Sequence, residues 1–221
     1  RRGKALRPGQ VEHLETTLKD LSVPGVGWAE NPDRTPVDLT TLYGRAAPLQ
    51  LEIGFGGGEH LLATAEANPK TNFLGCEPYV NGVAMFLPKL AERGLSNIRL
   101  HPGDARDILD VLPKGSLERC YLLYPDPWPK KRHHRRRFVN PDTLGPLARA
   151  LRPGAELRIA TDIPDYVRHS LEAITAHPDF EWCAEVPSDW RAPWQGWVRT
   201  RYEAKALREG RTPHYLRIKR L

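Results

Sequence analysis

The sequence predicts an α/β fold: a doubly wound, mostly parallel sheet of seven strands with a basic N-terminal arm. Three observations predict the sheet. Strand-like and helix-like segments alternate from residue 48 almost to the C-terminus, as crossover connections between parallel strands require. A glycine-rich turn stands directly between the first strand and the helix that follows. With 221 residues, 40% of them hydrophobic, the chain is long and apolar enough for one large domain with a real core.

Residues 1–45 lack clear periodicity beyond an amphipathic stretch (Val11, Leu14, Leu18, Leu21), and they carry Arg1, Arg2, Lys4 and Arg7. They are expected to form a mobile basic extension with a short helix, set apart from a domain of residues 46–221. From Pro48 the texture changes. LQLEIGF reads as a strand, GGGEHLLATAEAN as a turn entering a helix, and TNFLGCEP as a second strand, a βαβ unit. A helix through Val83 to Arg93, a strand at Asn97 to His101, a helix near Ala105 to Val111 and a strand at Arg119 to Tyr124 continue the alternation. Beyond a basic loop come a helix ending near Leu151, an RPG turn, a strand at Glu156 to Ala160 and a helix from Asp165 to His177. The last strands are expected near Phe180 to Glu185 and His214 to Ile218.

Composition excludes several classes. Mean hydropathy is −0.54, and no apolar run approaches the ~18 residues of a spanning helix, so no membrane association is expected. Cys76, Cys120 and Cys183 are far apart and outside any CxxC pair, which argues against a disulfide framework or zinc cage. A reducing, cytoplasmic setting is expected, no signal-like apolar stretch follows Arg1, and no metal is expected. The net charge is +6, and its distribution is informative. Residues 130–137 read KKRHHRRR; without those six Lys and Arg, the 33 bases fall to 27 against 27 acids. The whole surplus sits in one loop, which points to a polyanionic partner.

The glycine turn carries the first chemistry. Gly54, Gly56 and Gly58 lie where absent Cβ atoms let the backbone turn sharply and approach a ligand. A dinucleotide fingerprint would leave the helix N-terminus free for a pyrophosphate, whereas Glu59 stands there, so a cofactor without phosphates fits better. Glu52 ends the first strand, Glu77 the second, and Asp104 follows the third, all at the carboxyl edge where such sheets bind ligands. Glu77 suits an acceptor from two ribose hydroxyls and Asp104 an exocyclic amine, although either could be a helix cap or a solvated charge. This arrangement resembles the class I S-adenosylmethionine-dependent methyltransferases, a Rossmann-like family, over about residues 48–218. The resemblance implies S-adenosylmethionine as cofactor, with Glu52 serving its methionine end, Glu77 the ribose and Asp104 the adenine.

The most specific segment follows the fourth strand: YLLYPDPWPKKRHHRRRFV. Pro125, Pro127 and Pro129 each fix their own φ and keep the preceding residue out of the helical region, so the loop is expected to be stiff and extended. It would hold Asp126 at the sheet edge, with Trp128 as a stacking or packing face. The cations that follow suit backbone phosphates. Here the resemblance narrows to the bacterial tRNA (guanine-N7-)-methyltransferases, with further matches in ATD at Ala160 to Asp162 and TRYE at Thr200 to Glu203. It implies methyl transfer to N7 of a variable-loop guanine, position 46 in tRNA numbering. It also implies Asp126 as the active-site residue, contacting cofactor as well. Lys130, Asp162, Thr200, Arg201, Tyr202 and Glu203 would contact substrate, and Arg132, His133, His134, Arg135, Arg136 and Arg137 would meet RNA. Tyr124 and Tyr202 stand where phenylalanine is common in that family, and both keep a ring. The expected partner is tRNA, with the protein a monomer or homodimer.

Two further readings stand beside these. Thr200 and Glu203 also form a capping-box pattern for a helix closed by Gly210, and the four tryptophans from Trp182 to Trp197 read as a packed flap as well as a base-stacking surface. An amino-group methyltransferase using a DPPY-like loop, or a non-catalytic RNA-binding module, remains open on the residues alone.

Overall fold

The first strands are covered on both faces, so that in the first of them even Gln50 and Glu52, which alternate with Leu49, Leu51 and Ile53, are buried. In the computed structural model, which describes residues 3–221, β1 (Leu49–Ile53) and β2 (Asn72–Cys76) are buried at every position. The sheet has seven strands in the order β3-β2-β1-β4-β5-β7-β6. The remaining strands are β3 (Ile98–His101), β4 (Leu117–Leu123), β5 (Leu151–Thr161), β6 (Phe180–Trp182) and β7 (His214–Arg220). Contacts divide the chain into two compact units, Arg1–Pro113 and Lys114–Leu221.

In the first unit, β1, β2 and β3 pair in parallel, with Leu51 opposite Leu74 and Leu74 opposite Arg99. Helix α1 (Pro8–Glu15), α2 (Thr17–Leu21) and α3 (Leu39–Tyr43) precede β1; α4 (Glu59–Ala67), α5 (Val80–Arg93) and α6 (Ala105–Val111) follow the three strands. On α5, Val83, Phe86, Leu87 and Leu90 recur at helical spacing and are all buried, each contributing roughly 1.5–3 kcal/mol. They share one core with Phe55, Leu61, Phe73 and Leu100.

The N-terminal segment departs from the expected mobile arm. Arg1 and Arg2 lie outside the described residues; the rest is docked. The single predicted helix is two, divided at Thr16, whose hydroxyl donates back to Glu12 O at 2.8 Å, a bond that bends helices. Leu14, Leu18 and Leu21 pack on the core as their spacing requires, while Val11 stays exposed. Pro88, inside α5, has no N–H for the carbonyl of Ala84 one turn earlier. Gln10 fills that vacancy: its Nε2 donates to Ala84 O at 3.3 Å. Asn81 Nδ2 donates to Lys4 O at 2.7 Å, and Tyr43 Oη to Phe73 O at 2.7 Å.

In the second unit, β4 pairs parallel with β5, β5 antiparallel with β7, and β7 antiparallel with β6. A short 3₁₀ segment (Lys131–Arg136), α7 (Pro141–Ala150), α8 (Pro164–Thr175), α9 (Ser188–Arg191) and α10 (Arg201–Arg208) complete it. The RPG segment is no turn between elements. It is an irregularity inside β5, where pairing passes from Leu117 with Leu151 to Arg119 with Glu156, and Gly154 takes φ 80°. Strand β6 ends at Trp182, short of the predicted Glu185.

Candidate active site

The glycine turn after β1 is shaped by what surrounds it. Gly58 N-caps α4 at φ 71°, and a Cβ there would lie 2.0 Å from the Phe86 ring, so both conformation and packing demand glycine. Gly54 differs: at φ 72° it is exposed, and a Cβ would meet open space, leaving a cradle beside the turn. Gly56 is tied down from the next strand. Its N–H donates to Glu77 Oε2 at 2.7 Å, while the other oxygen of Glu77 accepts from Tyr79 N at 2.8 Å. Glu52 is buried, with Oε2 2.7 Å from His60 Nδ1. Glu59 begins α4, where the helix dipole favours an acid, 3.7 Å from Lys89. Asp104 takes the capping role: it N-caps α6 by accepting from Arg106 N, and the Arg106 guanidinium holds its carboxyl below the usual range.

The first unit therefore brings Glu52, Glu77 and the three glycines around one turn. Two buried carboxylates and an open cradle, with an acid at the helix N-terminus, suit a cationic, phosphate-free ligand. That set of acceptors fits S-adenosylmethionine.

In the second unit the proline-rich loop is less simply extended than its prolines predict. Tyr124 and Trp128 each precede a proline, yet take φ of 51° and 42°, in the left-handed region. Such conformations cost about 1–3 kcal/mol each and persist where surrounding structure enforces them. Asp126 between them is exposed. Trp128 is half-buried, with the Arg136 guanidinium 4.8 Å over its ring and His133 edge-on at 5.9 Å. Lys130, Lys131, Arg132, Arg135 and Arg136 are exposed, while His133 and His134 are half-buried.

Arg137 is the departure. Grouped with the RNA-facing run by sequence, it is only 1% exposed and points inward. Its Nε donates to Pro127 O at 3.0 Å and its Nη2 to Asp165 Oδ2 at 2.6 Å, with Tyr166 beneath the guanidinium. A burial of this depth leaves no face for a phosphate.

Asp162 is nearly buried and ion-paired with Arg211. Thr200 N-caps α10, accepting from Glu203 N at 3.2 Å, but only this half of the capping box forms. The Glu203 carboxylate is 3% exposed and turns instead to Trp197 Nε1 at 2.7 Å and the Tyr215 hydroxyl. Burial and the nearness of Glu203 push the phenols of Tyr124 and Tyr215 up, so Tyr215 remains a donor. Arg201 and Tyr202, next along α10, are exposed. The tryptophan-rich segment folds as a flap at Trp194, which is buried among Tyr121, Trp197 and Tyr215. Sequence reasoning missed His60, Arg211, Tyr215 and Asp165 as partners of site residues, since each lies at a distance along the chain that no local spacing encodes. The one available signal was Arg137 itself, the only base of the run directly followed by the apolar pair Phe138 and Val139.

No described helix is long and apolar enough to cross a membrane, and no three His, Cys, Asp or Glu among the described residues could hold a metal ion. Residues 46–216 match a family described as "Putative methyltransferase". Solved structures resemble the fold at low identity. They include the 16S rRNA methyltransferase KamB (TM-score 0.56, 17% identity, 82% of this chain and 91% of that one) and TrmN from Thermus thermophilus (TM-score 0.53, 19% identity, 83% and 47%). Curated relatives are far nearer. The protein of Ruegeria sp. (strain TM1040) named tRNA (guanine-N(7)-)-methyltransferase is 58% identical over 219 residues, 99% of this chain and 85% of its own. That of Ruegeria pomeroyi, with the same name, is 58% identical over 100% of this chain and 92% of its own. So too the Rhodospirillum rubrum protein of that name, at 48% over 100% and 86%. Such identity over nearly the whole chain, together with the family match over residues 46–216, means that the chain belongs to the tRNA (guanine-N(7)-)-methyltransferase family.

Proposed function

We propose that this protein transfers the methyl group of S-adenosylmethionine to N7 of a guanine in tRNA, the target being the variable-loop guanine at position 46. One observation carries the reading beyond the family: an exposed carboxylate, Asp126, sits in a strained loop that runs directly into five exposed cations. A carboxylate suits a base that becomes cationic, and the cations suit the phosphates beside it.

S-adenosylmethionine supplies an electrophilic methyl group on a positively charged sulfur. Glu52 accepts from the ammonium of its methionine end, Glu77 from the ribose hydroxyls, and Asp104 from the adenine amine. Glu77 already organises Gly56 and Tyr79 through backbone N–H groups, so it sets the turn and faces the ligand with the same carboxylate. Guanine N7 carries a lone pair in the ring plane and no hydrogen, so no side chain need remove a proton to create the nucleophile. Asp126 accepts from guanine N1–H and N2–H, orienting the base and stabilising the charge that develops on it. Lys130, Asp162 and the Thr200–Glu203 segment line the guanine side. Glu203, engaged with Trp197 and Tyr215, acts there by shaping the wall, whereas Arg201 and Tyr202, exposed at the start of α10, touch RNA. Arg132, His133, His134, Arg135 and Arg136 meet the backbone.

Incubation with methyl-labelled S-adenosylmethionine and unmodified tRNA transcripts, followed by digestion, tests this. Labelled 7-methylguanosine from the variable loop is the expected product. A methylated exocyclic amine would move the chemistry to the amino-group class, and tRNA binding without label would favour a binding module.

A further inference from the structure

We propose that Arg137 and Asp165 form a clamp that fixes the proline-rich loop, both acting as positioning residues for the transfer and neither touching RNA. The proposal rests on residues 125–129 being the reacting loop.

The guanidinium of Arg137 is enclosed, and each of its three nitrogens donates. Nε reaches back ten residues to the carbonyl of Pro127, the residue beside Asp126, at 3.0 Å. Nη2 holds Asp165 Oδ2 at 2.6 Å and Nη1 approaches the Asp165 carbonyl at 3.4 Å. The backbone of Arg137 is pinned as well: its N–H donates to His134 O at 2.9 Å, and its carbonyl accepts from Asn140 Nδ2 at 2.7 Å. Asp165 belongs to the first turn of α8, and it also accepts from Arg168 at 2.5 Å and stands 3.7 Å from His134. The loop is thus fastened to a helix whose own position is set by packing on β5 and β6.

A second, independent observation shows why fastening is needed. Tyr124 and Trp128 bracket Asp126 in left-handed conformations that a free pre-proline residue avoids. Something must enforce them, and the bond to Pro127 O lies between the two. The planar fork of arginine holds donors on separate nitrogens in fixed directions, one on the carbonyl and one on the carboxylate, whereas the donors of a lysine all radiate from one rotatable point charge. The buried cation in turn needs its carboxylate, since an unpaired charge at that depth is strongly unfavourable.

Steady-state kinetics with tRNA transcripts, combined with the salt dependence of tRNA binding, test the clamp in the full-length protein. Arg137→Lys and Asp165→Asn should each lower kcat by about 10- to 100-fold, the cost of misplacing reacting groups by about an ångström. The tRNA KM should stay within about threefold, and the slope of log K against log salt should not change. The double variant should be little worse than either single one, because the two residues act as a unit. Arg135→Gln, in the exposed run, should instead flatten that slope by about 0.7–0.9, the loss of one phosphate contact. The clamp is overturned if Asp165→Asn leaves kcat unchanged, or if Arg137→Gln flattens the salt slope as Arg135→Gln does. Asp165 sits at the rim, so its variant carries the test should Arg137→Lys fail to fold. Asp126→Asn is measured in parallel. Should it alone keep full turnover, the catalytic assignment fails while the clamp stands; should it alone lose turnover, the clamp fails.

Discussion

Asp126 and Glu52 show how differently two carboxylates of one protein are held. Asp126 is exposed and positioned by backbone, so Asp126→Asn should lower kcat by about 10²-fold in steady-state assays, the usual cost of one electrostatic donor or acceptor. Glu52 is buried against His60, so His60→Leu leaves a buried acceptor without that partner. We expect about 1–3 kcal/mol of lost stability in urea melts, together with weaker cofactor binding, and partial rescue by His60→Gln. Asp165 carries a pH dependence. Hydrogen bonds from Arg137 and Arg168 lower its pKa from 3.8 to about 2. A depressed carboxyl stabilises the fold fully above its unfolded value and loses that contribution as pH falls through the folded one. Urea titrations should therefore show an acid limb between about pH 4 and pH 2 that Asp165→Asn flattens. At this scale the sequence was readable wherever chemistry is local. The glycines, Glu77 and Asp126 lie after strands, where the sequence puts them, but Arg137 was misread, because a run of six bases does not reveal which of them turns inward.

Among the elements, helix α10 depends on its cap. Thr200→Ala removes the acceptor for Glu203 N and should cost about 1 kcal/mol by thermal melting. It should also raise the tRNA KM, because the same turn carries Arg201 and Tyr202. The docked helices α1 and α2 answer to a different logic. A proline in α5 would ordinarily leave a carbonyl unsatisfied, and here the N-terminal segment supplies the donor. Most strands and helices were legible from period and punctuation, since β1 alternates apolar with polar residues up to the glycine turn, β2 centres on Phe73 and Leu74, and α5 repeats at helical spacing. The docking of residues 3–45 was not, because it hangs on a few long-range bonds such as Asn81 to Lys4 that leave no periodic trace. The RPG segment misled for a related reason: Pro and Gly signal a turn, but neighbouring β4 keeps the chain in the sheet and turns the signal into a bulge.

Taken as a whole, the molecule carries a net charge of +6 that a single run supplies, and the inward turn of Arg137 leaves five of its six Lys and Arg facing solvent. If each exposed cation neutralises one phosphate, the slope of log K against log salt contributed by this run is bounded near −3.5 to −4.5, at about 0.7–0.9 per contact. Filter binding across a salt series checks that bound. The bracketed loop has a further consequence, in time. With Tyr124 and Trp128 already in their uncommon conformations and Pro127 already bonded, the loop has no ordering step left to perform when tRNA arrives. On the proposed function, a slow phase in forming the productive complex then belongs to the RNA, and its rate should rise when the tRNA structure around the target guanine is weakened, as stopped-flow binding would show.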